Sequence, residues 1–123
     1  MTDTTATQEE LLRVERLLRA FRFHFTTEAE LQRQIAAALE RVHQAFEREH
    51  SLGPAGRIDF LVGQVGIEVK IKGSVTEVGW QLQRYAEHVE VAGLLLITAR
   101  AQHRELPTML NDKPLRVFHL IRL

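Results

Sequence analysis

From Gly56 the chain runs Gly56-Arg57-Ile58-Asp59-Phe60-Leu61-Val62-Gly63-Gln64-Val65-Gly66-Ile67-Glu68-Val69-Lys70-Ile71-Lys72. Ile58, Phe60 and Val62 alternate with Arg57, Asp59 and Leu61. Val65, Ile67, Val69 and Ile71 alternate with Gly66, Glu68, Lys70 and Lys72. A period of two belongs to strands, and Gly63-Gln64 between the runs is a Gly-X pair suited to a type II′ turn. The segment therefore predicts a β-hairpin. With Gly63 and Gln64 as the turn, Val62 faces Val65, Phe60 faces Ile67 and Asp59 faces Glu68. Facing residues share one side of the sheet, with Cβ atoms roughly 4.5–5.5 Å apart, and Lys70 joins that side two residues on. The other side is then wholly apolar: Ile58, Phe60, Val62, Val65, Ile67, Val69 and Ile71. A slip of one residue would set polar positions against apolar ones.

Helical patterns flank the hairpin. Residues 8–19 place Leu11, Leu12, Val14, Leu17 and Leu18 at helical spacing, after a polar tail over 1–7. Thr26-Thr27 reads as an N-cap, with Glu28 and Glu30 in the first turn where the helix dipole favours acids. That helix continues through Leu31, Ile35, Ala38, Leu39 and Val42. Residues 42–50 read either as a helix end or as a strand, and Gly53, Pro54 and Gly56 break the pattern. Ser74 caps a helix to about residue 89, with Val78, Leu82, Tyr85 and Ala86 inward. Residues 93–98 read as a fully buried strand, 107–110 as a helical turn, and 115–121 as a last strand. That strand lies at the sheet edge or pairs with a second subunit. The expected fold class is α/β, with a mixed central β-sheet flanked by α-helices.

Composition narrows the chemistry. The chain has 123 residues, of which 45% are hydrophobic and 26% charged, and one domain over 1–123 is expected. It has no cysteine, which excludes disulfides, cysteine-bound metal and a cysteine nucleophile. Its zero net charge argues against a protein that coats nucleic acid by charge alone. No apolar signal core stands at the start, and the apolar run over 91–98 is too short for a bilayer. A cytoplasmic location without membrane contact is the expectation. His24, His43, His50, His88, His103 and His119 show no common zinc spacing. No glycine-rich phosphate loop is present, and neither Ser51 nor Ser74 has a nucleophile-elbow context.

Two carboxylates opposed across a hairpin repel, and one tends to keep a proton. A divalent cation removes that cost. Mg²⁺ is usually held by one or two carboxylates together with water and phosphate oxygens. Asp59 and Glu68 are the candidate carboxylates, with the Val69 carbonyl as a third ligand. Lys70 beside the metal would orient or acidify water, or neutralise charge on a phosphorane. This set suits metal-assisted phosphodiester hydrolysis. The ordinary alternative is a solvated strand face on which Lys70 offsets Asp59 and Glu68.

The segments Gly56-Arg57-Ile58-Asp59-Phe60 and Gly66-Ile67-Glu68-Val69-Lys70 resemble the signature of the PD-(D/E)xK nuclease superfamily. Ile58 stands where the name-giving proline would be. Gln81 and Tyr85, four apart on one helix face, resemble the Gln-x-x-x-Tyr motif of RecB-like nucleases. Thr27-Glu28-Ala29-Glu30-Leu31 resembles the family's first-helix motif. The likeness extends over residues 28–98 and includes the nuclease domain of archaeal mismatch-cleaving endonucleases. It implies a restriction-endonuclease-like core, Mg²⁺ or Mn²⁺ as cofactor, and DNA as substrate. It also implies catalytic roles for Asp59, Glu68, Lys70 and Glu28 (Glu30 as second choice), with Gln81 and Tyr85 contacting DNA or positioning the lysine. Glu47 and Glu49 are a fallback acidic pair. For Tyr85 the alternative is a core aromatic, and for Glu28 an acid that only compensates the helix dipole. His88 reads as a surface histidine or as part of the same cleft. Lys70, Lys72, Arg84, Arg100 and Arg104 are candidates for phosphate contact or an ordinary solvated face. Trp80 reads as core or a dimer contact, with base stacking as the other possibility. So small a chain is expected to act as a homodimer or with a protein partner that supplies targeting. Two rivals stand beside the nuclease: a nuclease-fold DNA-binding or regulatory subunit that no longer cuts, and an unrelated α/β interaction domain.

Overall fold

The hairpin forms the second and third strands of a six-stranded mixed sheet in the computed structural model, which describes residues 4–121. In chain order the elements are α1 (Thr4–Arg19), α2 (Glu28–Arg41), β1 (Glu47–Ser51), β2 (Arg57–Val62), β3 (Val65–Lys70), α3 (Val75–Ala86), β4 (Gly93–Thr98), β5 (Met109–Leu110) and β6 (Lys113–His119). The strands lie in the order β1-β2-β3-β4-β6-β5. β1, β2 and β3 run antiparallel to one another; β3, β4 and β6 are parallel; β5 returns antiparallel beside β6. This is an α/β architecture with helices on both faces. The hairpin register is the expected one, with Phe60 opposite Ile67 and Val62 opposite Val65. Gly63 takes a φ of 59°, the positive value a type II′ turn needs at its first central residue.

Two apolar layers hold the sheet. On one face Leu11, Val14 and Leu18 of α1 and Leu31, Ile35 and Leu39 of α2 pack on Phe60, Val62, Ile67, Val69, Leu95 and Ile97. On the other, Val78, Leu82 and Tyr85 of α3 pack on Ile58, Leu94, Leu96 and Leu115. β4 gives Leu95 and Ile97 to one layer and Leu94 and Leu96 to the other, which is why it reads as an unbroken apolar run. Glu15, only 3% exposed, ties α1 to β6 through Arg116 at 2.7 Å. The caps are as the sequence suggests. Thr27 Oγ1 accepts the Glu30 N–H and Ser74 Oγ accepts the Glu77 N–H, each at 3.1 Å.

Several expectations are corrected. Residues 4–7 are the first turn of α1 rather than a tail, and Thr7 is buried against the sheet at Gly93; residues 1–3 lie outside the described residues. For residues 42–50 both open readings apply in turn, Val42 capping the end of α2 and Glu47–Ser51 forming an edge strand, but Val42 is exposed rather than a core position. α3 ends at Ala86, leaving Val89 exposed. The helical turn falls at Ala101–Glu105, not at 107–110. Instead Asn111 and Asp112, with φ of 50° and 59°, make a tight turn between β5 and β6. Positive φ at both positions is the type I′ pattern that Asn and Asp accept, so the signal was present in the sequence. β6 starts at Lys113 and lies inside the sheet, covered by β5. Ile58 is on the α3 face, opposite in sense to Phe60. Trp80 is not core; it is 70% exposed. Among the described residues no helix is long and apolar enough to cross a membrane.

Gly66 is required where Ile58 crosses β3. A β-carbon there would lie 2.4 Å from Ile58 Cδ1 and 3.1 Å from Leu94 Cδ2. Gly66→Ala should destabilise the protein by about 1–3 kcal/mol through overpacking. Ile58→Val removes the clashing Cδ1, so in the Gly66→Ala background it should recover stability, whereas alone it should cost about 0.5–1.5 kcal/mol. Urea unfolding of the four proteins in this cycle checks the coupling.

Candidate active site

The paired register of β2 and β3 ends at Phe60 and Ile67. One step further, each strand's carboxylate takes a backbone donor of the other. The Asp59 N–H donates to Glu68 Oε1 at 3.2 Å, and the Val69 N–H donates to Asp59 Oδ2 at 2.8 Å. The carboxyls satisfy groups that the ladder would otherwise pair. β2 changes face at this point, with Phe60 in the α1–α2 layer and Ile58 in the α3 layer. β1 follows it. The Arg48 guanidinium sits 5.9 Å from the Phe60 ring centre, while His50 pairs with Ile58. Between them Glu49 adopts a left-handed φ of 52°, a conformation that costs a non-glycine residue of order 1–3 kcal/mol. Backbone strain thus sits level with Asp59.

Glu68 is 2% exposed. Its Oε2 lies 3.6 Å from Lys70 Nζ and 3.5 Å from the Tyr85 hydroxyl. That hydroxyl accepts from Gln81 Nε2 at 2.8 Å, and its proton points to the Arg57 carbonyl at 3.0 Å or to Glu68. Tyr85 is 1% exposed, so it steadies Glu68 from beneath and does not face a ligand. Of the motif pair, only Gln81 lines the adjoining groove. Glu28 opens α2, and its Oε1 accepts the Ile71 N–H at 3.1 Å, fastening that helix to the end of β3. Glu30 is used elsewhere, accepting from Thr26 N–H at 3.1 Å in the helix cap. Of the two first-helix acids, Glu28 is therefore the one beside the site. The fallback pair does not join it: Glu47 pairs with His50 at 2.6 Å and Glu49 is exposed. The Glu90 N–H donates to His88 Nδ1 at 3.2 Å, and His88 does not line the groove.

The groove has a volume of about 540 Å³, with Glu28, Lys70, Lys72, Trp80, Gln81 and Arg84 in its wall. Neither Asp59 nor Glu68 lines that wall; Lys70 does, with its Nζ 3.6 Å from Glu68. A support that the sequence did not reveal is His103, which is 0% exposed. Its Nε2–H donates to the Gly73 carbonyl at 2.8 Å, so its Nδ1 accepts from the Thr98 hydroxyl at 2.6 Å. This pins the loop between β3 and α3 to the end of β4. A lone histidine in an otherwise polar stretch gives no signal of such a role.

Burial, and then the neighbouring Asp59 charge, push the Glu68 carboxyl up to about 8, with Lys70 opposing. Asp59 is also raised, chiefly by burial; the Val69 N–H opposes this and the Glu28 charge adds to it. With its carboxyl raised to about 8, Glu68 keeps a proton at neutral pH. Burial first, and the Glu68 charge second, raise the Tyr85 hydroxyl. A metal ion fits this donor set. No three His, Asp or Glu side chains close into a cage among the described residues. Two adjacent carboxylates, each costly to ionise without a cation, are nevertheless the kind of set that Mg²⁺ completes with water.

A carboxyl held protonated by the fold stabilises it at low pH. The unfolded chain releases this proton near 4.5 and the folded one near 8, so stability falls with rising pH across that window and levels above it. In EDTA the Tm should fall from about pH 5 to about pH 8, and Glu68→Gln should remove most of the slope. Scanning calorimetry of both proteins checks this; a wild-type Tm that rises over the window would contradict the proton placement.

Compared with known proteins, the chain matches no protein-family model, no curated protein and no solved structure at a significant level.

Proposed function

We propose that the chain is a metal-dependent deoxyribonuclease of PD-(D/E)xK type, with a restriction-endonuclease-like core, that hydrolyses phosphodiester bonds of DNA. One observation carries it: Asp59 and Glu68 interlock across β2 and β3, both with raised carboxyls, and Lys70 Nζ stands 3.6 Å from Glu68. An ordinary solvated face would not bury the Glu68 carboxyl beside a half-buried Asp59.

Asp59, Glu68 and the Val69 carbonyl would hold Mg²⁺ or Mn²⁺. Bound there, a divalent cation supplies Lewis-acid activation of water and offsets negative charge at the phosphorus. Glu68 gives up its proton for that binding, so affinity rises with pH. Lys70 reaches from the carboxylate pair into the groove, where its ammonium group meets the charge that builds on a reacting phosphate. Glu28 adds a third acid at the groove wall, and its grip on the Ile71 N–H keeps the Lys70 end of β3 in place. Gln81 orients the Tyr85 hydroxyl, and Tyr85 in turn holds Glu68. The short groove offers few contacts, so target choice falls to a second copy of the chain or to a protein partner. The near-complete burial of Glu68 favours a second reading, a DNA-binding or regulatory subunit of the same fold that does not cut.

Incubation of labelled DNA with purified protein and Mn²⁺ separates the two. Wild type should cleave, and Lys70→Ala should lose about a hundredfold or more in rate while still binding metal. Mn²⁺ at about a hundred times its Kd should stabilise the wild type by about 2.7 kcal/mol, and Asp59→Asn should abolish both this shift and cleavage. Metal binding without cleavage on any DNA would favour the non-cutting subunit; absence of both would remove the nuclease reading.

A further inference from the structure

Trp80, the chain's single tryptophan, is 70% exposed. On the same helix Val78, Leu82 and Tyr85 are buried, so α3 had an apolar layer available and Trp80 faces away from it. Buried aromatic rings are among the largest stabilising contributions a fold has, and this one is given up. The indole stands in the groove wall with Lys70, Lys72 and Arg84, and Arg84, four residues on, shares its helix face. Glu28 and Glu77 also line the groove, and the whole chain is neutral. Phosphate attraction alone therefore provides little affinity. An exposed flat ring beside cations can provide the remainder by stacking.

We propose that this groove takes single-stranded DNA, with one base stacked on Trp80 and flanking phosphates held by Lys72 and Arg84; this rests on the nuclease reading of the adjoining carboxylates. In a duplex both faces of each base are covered by its neighbours, and only edges are presented in the grooves. A surface ring can therefore select an unpaired base, and it does so without sequence preference because every base has a face to offer. Lys70 lies in the same wall and touches Glu68, which sets a stacked nucleotide close to the groups proposed to act on its phosphate.

Because no other tryptophan is present, intrinsic fluorescence reports on Trp80 alone. Metal-free protein in EDTA is titrated with an oligothymidylate of about twenty nucleotides, long enough to cover one binding site, and with a fully paired duplex of equal length. The oligothymidylate should quench the emission to saturation at concentrations where the duplex has little effect. By anisotropy of a labelled strand, Trp80→Ala should bind about tenfold more weakly or worse, and Trp80→Phe should fall between. Under Mn²⁺, Trp80→Ala should raise KM more than it lowers kcat. Equal quenching by duplex, unchanged binding by Trp80→Ala, or a blue-shifted emission with sedimentation showing Trp80 buried between two copies would overturn the proposal. Any of these with Mn²⁺-dependent cleavage intact leaves the nuclease reading standing. Quenching by the single strand without cleavage upholds the groove assignment and removes the nuclease reading.

Discussion

Two acidic side chains complete the hydrogen bonding of a sheet at its most buried hairpin, and much of the surrounding structure follows from that exchange. Backbone donors in a sheet interior must be paired. Here the Asp59 and Val69 N–H groups are paired by Glu68 and Asp59 carboxylates instead of by carbonyls. The price is mutual repulsion between two groups that burial already disfavours as anions. Lys70, the Tyr85 hydroxyl and a proton retained on Glu68 offset it. None of these removes it as fully as a divalent cation would, which is the physical argument behind the proposed metal site.

The same exchange bends the strands. β2 and β1 both change faces at Asp59 and Glu49, which sends Ile58 across β3 toward α3. That crossing has room only because residue 66 lacks a side chain. The backbone irregularity and the conformationally costly Glu49 therefore belong to one arrangement. Strain of this kind persists where the packing around it over-determines the chain, and the fully buried Ile58, Leu52 and Tyr85 supply that packing.

The hairpin was legible because a period of two over 57–71 and a Gly-X turn specify register together, and so the approach of Asp59 to Glu68 followed by counting. The position of Ile58 was not legible, since alternation carries no sign of a break at Asp59. β1 was hard to see because Glu-Arg-Glu-His-Ser has no apolar residue. It earns its place by edge hydrogen bonds rather than by burial. The first helix extends back to Thr4 because Thr7 packs against Gly93, a long-range contact that local polarity hides. Gln81 and Tyr85 were legible as a helical pair, but not the direction of their action, which is toward Glu68 and not toward Lys70.

α3 joins the two halves of the functional reading through its pitch. Residues four apart share a face, and a step of one residue turns about a quarter circle around the helix. Gln81 and Tyr85 thus share one stripe, and Trp80 and Arg84 the next. The first stripe reaches inward to fix a carboxylate; the second faces the groove. Rotating the helix to improve one would displace the other, so its orientation is doubly constrained. The constraint is met at both ends. Ser74 caps the first turn and the loop before it is held by His103 through the Gly73 carbonyl, while Asn111 Nδ2 donates to the Ala86 carbonyl at 3.2 Å. A helix fixed in this way keeps a solvent-facing ring and a buried carboxylate in a set relation, which is what chemistry on a stacked nucleotide would require.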